Sequence, residues 1–484
     1  MAKGLPSRKP KPAAAQVEGK PPRAPALATY EEAVEHLYGR VDLERLKPSA
    51  AVRDHYKLDR MCAILKELGN PQNNLRCIHV AGTKGKGSTC EMIASCLENC
   101  GYSIGLFTSP HVLDVRERVR VGRRLISEEE FLALTRRVVK AASAVSRAHG
   151  EATFFEVLTA IGFVYFLDQA VDLALIEVGL GGLLDCTNVI RPEVCAITAI
   201  GLDHTQILGN TIEEIAAQKA GILKHGVPAV TVPQDPAALR VLREKAAEIG
   251  APLAVLGQDI DYQFRFEWQQ HGGPQTVVSI TTPKCDFEHA EVPLKGEHQA
   301  HNCALALAVV TKLVDHGFVC PGGKVLDGLA KTTLAGRFET CWDSPRILVD
   351  VAHNPDSIKA LMKAIGAYLT YDSLIVVFGC ADDKDWTTML RHLAGGADKV
   401  IFTRSQNPRA ADPEKLLTKY LELSDGGACQ TAPAIAEALE AAARCCIRGD
   451  LICVTGSFYL VGETKRRLAE VKARRTAPGP KSKT

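Results

Sequence analysis

His79-Val-Ala-Gly-Thr-Lys-Gly-Lys-Gly-Ser-Thr89 decides how the rest of this 484-residue chain is read. It follows the short apolar run Cys77–Ala81, which reads as a buried strand, and opens a helix that continues through Cys100. Glycines at 82, 85 and 87 let backbone N–H groups turn inward on phosphate oxygens. The helix N-terminus adds a positive dipole, and Lys86 reaches toward the outer phosphates. The spacing departs from the usual G-x-x-x-x-G-K-[ST], because Gly87 separates Lys86 from Ser88. A glycine-rich turn that serves packing alone is the competing reading.

Working outward, strand-like and helix-like segments alternate. Ser103–Phe107, Leu173–Val178, Val194–Ile200 and Ala229–Val232 are aliphatic runs typical of buried parallel strands. Tyr30–Leu46, Asp59–Leu68, Glu128–Ser146, Thr153–Leu167 and Ile212–Leu223 read as helices. Tyr262–Val292 alternates polar and apolar residues and reads as a small antiparallel excursion. After helical His298–His316 and a glycine-rich break at Gly317–Gly323, a second strand set begins: Arg346–Val351, Ser373–Phe378, Lys399–Phe402 and Leu451–Val454. The expected fold is α/β: a P-loop, doubly wound ATPase domain followed by a smaller Rossmann-like C-terminal α/β domain. The expected divisions are a basic tail over 1–28, the ATP-binding unit over 29–335, the second unit over 336–470, and a basic tail over 471–484.

The length exceeds what one hydrophobic core supports. The net charge of +2 conceals two basic ends. Residues 1–25 hold six Lys/Arg against Glu18, and residues 472–484 hold five against none, so about −8 remains between them. That balance does not indicate a basic surface for nucleic acid, and weak polyanion binding by the two ends is the minor alternative. Both ends are poor in residues that bury and read as disordered. The 16 cysteines show no C-x-x-C pair or metal-like spacing and read as reduced thiols of a cytoplasmic protein. No apolar leader follows the first charges, and the apolar run Phe154–Leu167, interrupted by Glu156, is too short to span a bilayer.

The loop is one of six ordered motifs. With Phe107-Thr-Ser-Pro-His111 and Val115-Arg-Glu-Arg118 it resembles the dihydrofolate synthase/folylpolyglutamate synthase family of Mur ligases. Glu177-Val-Gly-Leu-Gly-Gly182 with Asp185-Cys-Thr-Asn188, Gly201-Leu-Asp-His-Thr205 with Leu208-Gly209, and Ile215-Ala-Ala-Gln-Lys-Ala-Gly-Ile222 extend the likeness. Gly336-Arg-Phe-Glu339 and Asp350-Val-Ala-His-Asn-Pro355 complete it, so that it covers roughly residues 57–460.

This resemblance implies ATP-dependent addition of L-glutamate to dihydropteroate and to reduced folates through an acyl phosphate. Gly82, Thr83, Gly85, Lys86, Gly87, Ser88, Asn302, Arg337 and Asp350 would bind ATP, with Asn302 on the adenine side. Ser109, Glu177 and His204 would hold Mg²⁺, two ions in all. Lys219 would carry a carbamate, and Lys86, Lys219 and His353 would serve the chemistry. Leu58, Asp59, Arg60, Phe154, Phe155, Glu156, Leu184, Asp185 and Cys186 would face the acid. Read without the family, several of these stay open. Mg²⁺ prefers oxygen, so His204 reads as a structural residue. Lys219 reads as a solvated helical lysine, Asp350 as a helix N-cap, and the Phe154–Phe155 pair equally as core or stacking surface. Leu183, Cys186 and Val351 depart from the family's usual Arg or Lys, Ala and Gly.

The partners expected are the pteroyl acid, glutamate and ATP, with no nucleic acid and no membrane, in a monomer. A single-activity ligase is the nearest alternative. A peptidoglycan-type Mur ligase and a non-catalytic P-loop switch are more distant ones.

Overall fold

A computed structural model describes residues 26–42, 57–269, 273–282, 284–424 and 426–476. In the first unit the strands are β1 (Cys77–Ala81), β2 (Ile104–Phe107), β3 (Val119–Val121), β4 (Arg124–Leu125), β5 (Leu173–Glu177), β6 (Val194–Ile197), β7 (Ala229–Thr231) and β8 (Leu253–Val255). They form one sheet in the order β4-β3-β2-β5-β1-β6-β7-β8. The pairs β2–β5, β5–β1, β1–β6, β6–β7 and β7–β8 are parallel, while β3 and β4 add an antiparallel edge. Every residue of β1 and β5 is buried, because helices cover both faces.

Helices Lys86–Cys100 and Glu297–Val314 pack on one face around Ile93, Leu97, Leu305 and Val309. Helices Glu128–His149 and Phe154–Asp168 cover the other, around Phe131, Val138, Ile161 and Phe166. The second of these is buried along almost its whole length, so the apolar run read in the sequence is interior helix. No helix among the described residues is long and apolar enough to cross a membrane. After β1 the chain passes to β2 on one side; after β5 it crosses back to β6 on the other. This reversal opens a crevice at the carboxyl ends of β1 and β5.

Strands β9 (Asp261–Gln269), β10 (Gly273–Thr281) and β11 (Asp286–Glu291) form the expected antiparallel excursion. The last sheet contains β12 (Glu339–Asp343), β13 (Arg346–Asp350), β14 (Leu374–Phe378), β15 (Lys399–Phe402), β16 (Ala428–Thr431) and β17 (Leu451–Thr455), in the order β12-β13-β17-β14-β15-β16. Only β12 is antiparallel.

Some expectations shift. Leu27, inside the expected N-terminal tail, is buried, and its carbonyl accepts a hydrogen bond from Arg136 Nε at 2.7 Å. The final helix, Phe458–Thr476, continues through residues 471–476 of the expected C-terminal tail. Residues 1–25 and 477–484 of those tails lie outside the described residues. The first helix ends at Tyr38, and residues 43–46 of its expected span are also outside. The glycine break is shorter than read, since a helix begins at Gly322 behind Pro321. All sixteen cysteines are unbridged.

Candidate active site

The phosphate loop is held in place by the strand next to it. Thr83 N and Lys84 N both donate to Ala199 O, at 2.9 and 3.2 Å, and Thr83 Oγ1 donates to Gly201 O at 3.1 Å. Two glycines are sterically required. A Cβ on Gly82 would lie 1.7 Å from Thr198 Oγ1, and one on Gly85 2.2 Å from Asn302 Oδ1. Gly85, with φ +91°, is the N-cap of helix Lys86–Cys100, and no side chain caps the amides behind it. They are free to bind an anion.

Two lysines converge at this turn. Lys219 Nζ donates to Gly82 O at 2.8 Å, and Lys86 Nζ lies 3.3 Å from the same oxygen and 3.9 Å from Glu177 Oε1. Lys219 is therefore not the solvated helical lysine that its alanine-rich segment suggested; it is buried. Burial first, and Lys86 second, pull its pKa from 10.5 down to about 7. A neutral amine is thus available near neutral pH, and neutral amines are what add to carbon dioxide. Glu177, at the end of β5, is displaced the other way. Burial pushes its carboxyl up to about 7, against Lys86, the Ser109 N–H at 3.0 Å, and Arg337.

His204 lines the same cleft with φ +50°, an uncommon conformation for a residue with a side chain. Burial lowers its pKa to about 4 even beside Asp203, so its imidazole is neutral and has a lone pair to offer. Glu177 supplies a buried carboxylate without full countercharge, and Ser88 and Ser109 supply hydroxyl oxygens in the same wall. Such hard donors fit Mg²⁺, which keeps waters and phosphate oxygens and needs few protein ligands. Among the described residues no closed cage of three or more His, Cys, Asp or Glu side chains is present.

Asn302 Nδ2 donates to Gln299 Oε1 at 2.9 Å, and its amide rests on Gly85. In the folded chain it lies against the phosphate loop, because helix Glu297–Val314 starts there. The far wall comes from the last sheet. Arg337 is half-buried near Asp350 and Glu177, with its guanidinium 5.2 Å from the Phe458 ring centre. Asp350, at the end of β13, accepts from Phe338 N and Ala352 N, both at 2.8 Å. Those bonds hold Phe338 at φ +47°. Asp350 is not a helix N-cap; Asn354 caps helix Pro355–Tyr368. His353 Nδ1 bonds to Val351 O at 2.9 Å, which places the proton on Nδ1 and leaves Nε2 as the acceptor.

Of the nine residues expected to face the acid, the cleft is lined by Phe155 and Asp185. Arg60 and Glu156 pair with each other in the interior, Nε to both carboxylate oxygens at 2.9 Å, and Glu156 also completes a capping box with Thr153. Phe154 stacks on Tyr38 with centroids 5.5 Å apart. Neighbours on a helix point apart, so only one member of the aromatic pair can reach the cleft. Cys186 is buried against Thr159 Oγ1 at 3.2 Å; Leu184 and Asp59 are exposed, and Leu58 is half-buried.

The cleft also contains residues to which the sequence analysis assigned no role: Asp203, which lies within a quoted motif, and Lys384, Asp42 and Arg409. Lys384 Nζ donates to Asp203 Oδ1 at 3.0 Å across the cleft. Its signal was available. Cys380-Ala-Asp-Asp-Lys-Asp385 follows the carboxyl end of β14, where open α/β sheets bind ligands.

With this geometry in view, comparisons with known proteins are specific. Residues 80–310 match the Mur ligase middle domain, and residues 336–458 match the Mur ligase glutamate ligase domain. The dihydrofolate synthase/folylpolyglutamate synthase of Bacillus subtilis (strain 168) is 34% identical over 445 residues, covering 91% of this chain and 100% of that protein. A structure of Mycobacterium tuberculosis folylpolyglutamate synthase complexed with ADP superimposes with TM-score 0.81 at 30% identity, covering 91% of this chain and 98% of that one. E. coli FolC in complex with DHPP and ADP gives TM-score 0.78 at 28% identity, covering 93% and 99%.

Proposed function

We propose, from the premise that this chain belongs to the dihydrofolate synthase/folylpolyglutamate synthase family of Mur ligases and is an ATP-dependent ligase, that it joins L-glutamate to both dihydropteroate and reduced folates. The observation that carries this reading is the convergence of Lys86 and Lys219 on Gly82 beside the buried Glu177, with Arg337, just before the last sheet, facing them. Such a cluster suits a transferring phosphoryl group, whose charge must be neutralised and held in line.

The carboxylate of the acid attacks the γ-phosphorus of ATP, giving an acyl phosphate and ADP. The amine of glutamate then attacks the acyl carbon, an amide forms, phosphate leaves, and the amine's proton is released. Loop amides at 82–88 cradle the phosphates, Lys86 and Arg337 follow the moving charge, and Phe155 with Asp185 holds the flat heterocycle. Ser109, Glu177 and His204 would hold Mg²⁺, which neutralises phosphate charge when bound.

Lys219, as a neutral amine, adds CO₂ to give a carbamate and a proton. An anion there would sit favourably beside Lys86 and would be able to hold a second Mg²⁺. His353 helps seat the incoming glutamate. In this reading residues 29–335 bind ATP and acid, residues 336–470 complete the site, and the enzyme is a cytoplasmic monomer.

The test is to incubate the protein with MgATP and glutamate, offering dihydropteroate and tetrahydrofolate separately, and to follow ADP release and product mass. Glutamylation of both acids is expected. Turnover of just one removes the second activity, and turnover of neither refutes the assignment.

A further inference from the structure

His79 lies in the middle of β1, fully buried, and has no part in the chemistry above. A histidine inside a parallel sheet is ordinarily satisfied at both ring nitrogens. Here it is satisfied at one. Nε2 lies 2.9 Å from Thr187 Oγ1, while Nδ1 has no partner among the described residues. Burial keeps the ring neutral, so a single nitrogen carries the proton.

Which nitrogen that is follows from the next link. The Thr187 hydroxyl donates to Asp185 Oδ1, and its one proton is thereby committed. Thr187 Oγ1 must accept from the histidine, so Nε2 is protonated and Nδ1 holds the bare lone pair. Asp185 also accepts from Thr187 N at 3.0 Å through Oδ1 and from Leu180 N at 2.8 Å through Oδ2. Oδ1 is thus filled from within the protein, and Oδ2 retains a lone pair at a residue that lines the cleft. The loop carrying Asp185 is tied to the opposite wall as well. Cys186 Sγ meets Thr159 Oγ1 at 3.2 Å, and Thr159 Oγ1 donates to Phe155 O at 2.7 Å. The residue after Asp185 is therefore tied to the backbone of the helix that carries Phe155.

We propose that His79 is a positioning residue for recognition of the acid, acting through Thr187 to orient Asp185 as an acceptor for the N–H groups of a flat aminopyrimidine ring. The inference rests on the folate-type reading above. By donating to Thr187 Oγ1, His79 Nε2–H favours the hydroxyl orientation that points its proton at Asp185. The carboxylate then meets the ring in one orientation, in the same cleft that Phe155 lines. The bare Nδ1 is a standing cost to the fold, which selection for stability alone would remove.

The test compares His79→Leu and Thr187→Val with the donor-keeping variants His79→Gln and Thr187→Ser. Steady-state KM is measured separately for the pteroyl acid, ATP and glutamate, with kcat and thermal midpoint. His79→Leu and Thr187→Val should each raise KM for the acid about tenfold, with kcat and KM for ATP within twofold of wild type. His79→Gln and Thr187→Ser should recover most of the loss. The midpoint of His79→Leu should hold or rise, because the bare nitrogen is gone. Should His79→Leu fail to fold, Thr187→Val carries the test, since it exchanges one hydroxyl for a methyl. An unchanged KM for the acid in Thr187→Val overturns the proposal, as does a joint fall in midpoint, kcat and affinity for all three substrates. A wild-type protein that turns over neither acid fails at the functional reading instead, before any variant is compared.

Discussion

Lys219 shows how far burial can move one residue's chemistry. Its ammonium is disfavoured by loss of water and by Lys86, and its folded pKa falls to about 7 from 10.5. The sign follows from that direction. A depressed pKa means stability that is complete above pH 10.5 and is lost as pH falls toward about 7. In CO₂-free buffer, wild-type protein should gain about 1 kcal/mol per pH unit between pH 7 and 9 relative to Lys219→Met. Denaturant titrations of the two proteins at pH 7, 8 and 9 measure this, and parallel curves contradict it. Added bicarbonate should flatten the wild-type slope, because a carbamate no longer titrates as an amine. The residue's place in an Ala-rich helical segment was plain in the sequence. Its burial was not, since the oxygen it meets, Gly82 O, lies 137 positions away.

At the scale of elements, helix Lys86–Cys100 is bounded by two left-handed glycines with different duties. Gly85 has φ +91° and Gly101 φ +103°, so alanine at either carries the left-handed penalty of about 1–2 kcal/mol. Their surroundings differ. A Cβ on Gly101 meets nothing within 4 Å, whereas one on Gly85 strikes Asn302. Gly101→Ala should lower stability by about that penalty and leave nucleotide affinity intact. Gly85→Ala should lower it further and weaken ATP binding at least tenfold, about 1.4 kcal/mol. Calorimetry on both variants decides it; equal ATP affinities would mean that the loop tolerates a side chain.

The central strands and long helices were legible because their apolar runs have a single period. Strands β3, β4, β8, β12 and β16 were not, being short or partly exposed strands at or near sheet edges whose side chains carry little pattern. The aromatic pair shows the same limit. Phe154 and Phe155 are alike in sequence, and only the direction of each on its helix sends one to Tyr38 and the other to the cleft.

Across the whole molecule, charged pairs join the first unit to the last sheet over the cleft. Lys384 binds Asp203, Lys84 binds Asp356, and Lys363 binds Glu297. The first pair is the best shielded, each side chain 14% exposed, while Asp356 is 77% exposed and its pair should contribute little. Lys384→Met leaves Asp203 without its partner and should cost about 1–3 kcal/mol. In a double-mutant cycle, Asp203→Asn should recover part of that loss, with a coupling of about 1 kcal/mol. Small-angle scattering of Lys384→Met should show a more open apo protein; an unchanged radius with zero coupling would assign closure to other contacts.

The order of motifs, the α/β class, the family and the phosphate loop were all determined by the sequence alone. Each depends on neighbours within a few residues or on a fixed succession of segments. The folded chain alone decided that Lys219 and Lys86 share one carbonyl, that Arg60 and Glu156 cancel each other in the core, and that His79 reaches Asp185 through Thr187. Those facts depend on burial and on contacts between distant segments, which set charge, tautomer and reach, and which no local pattern encodes.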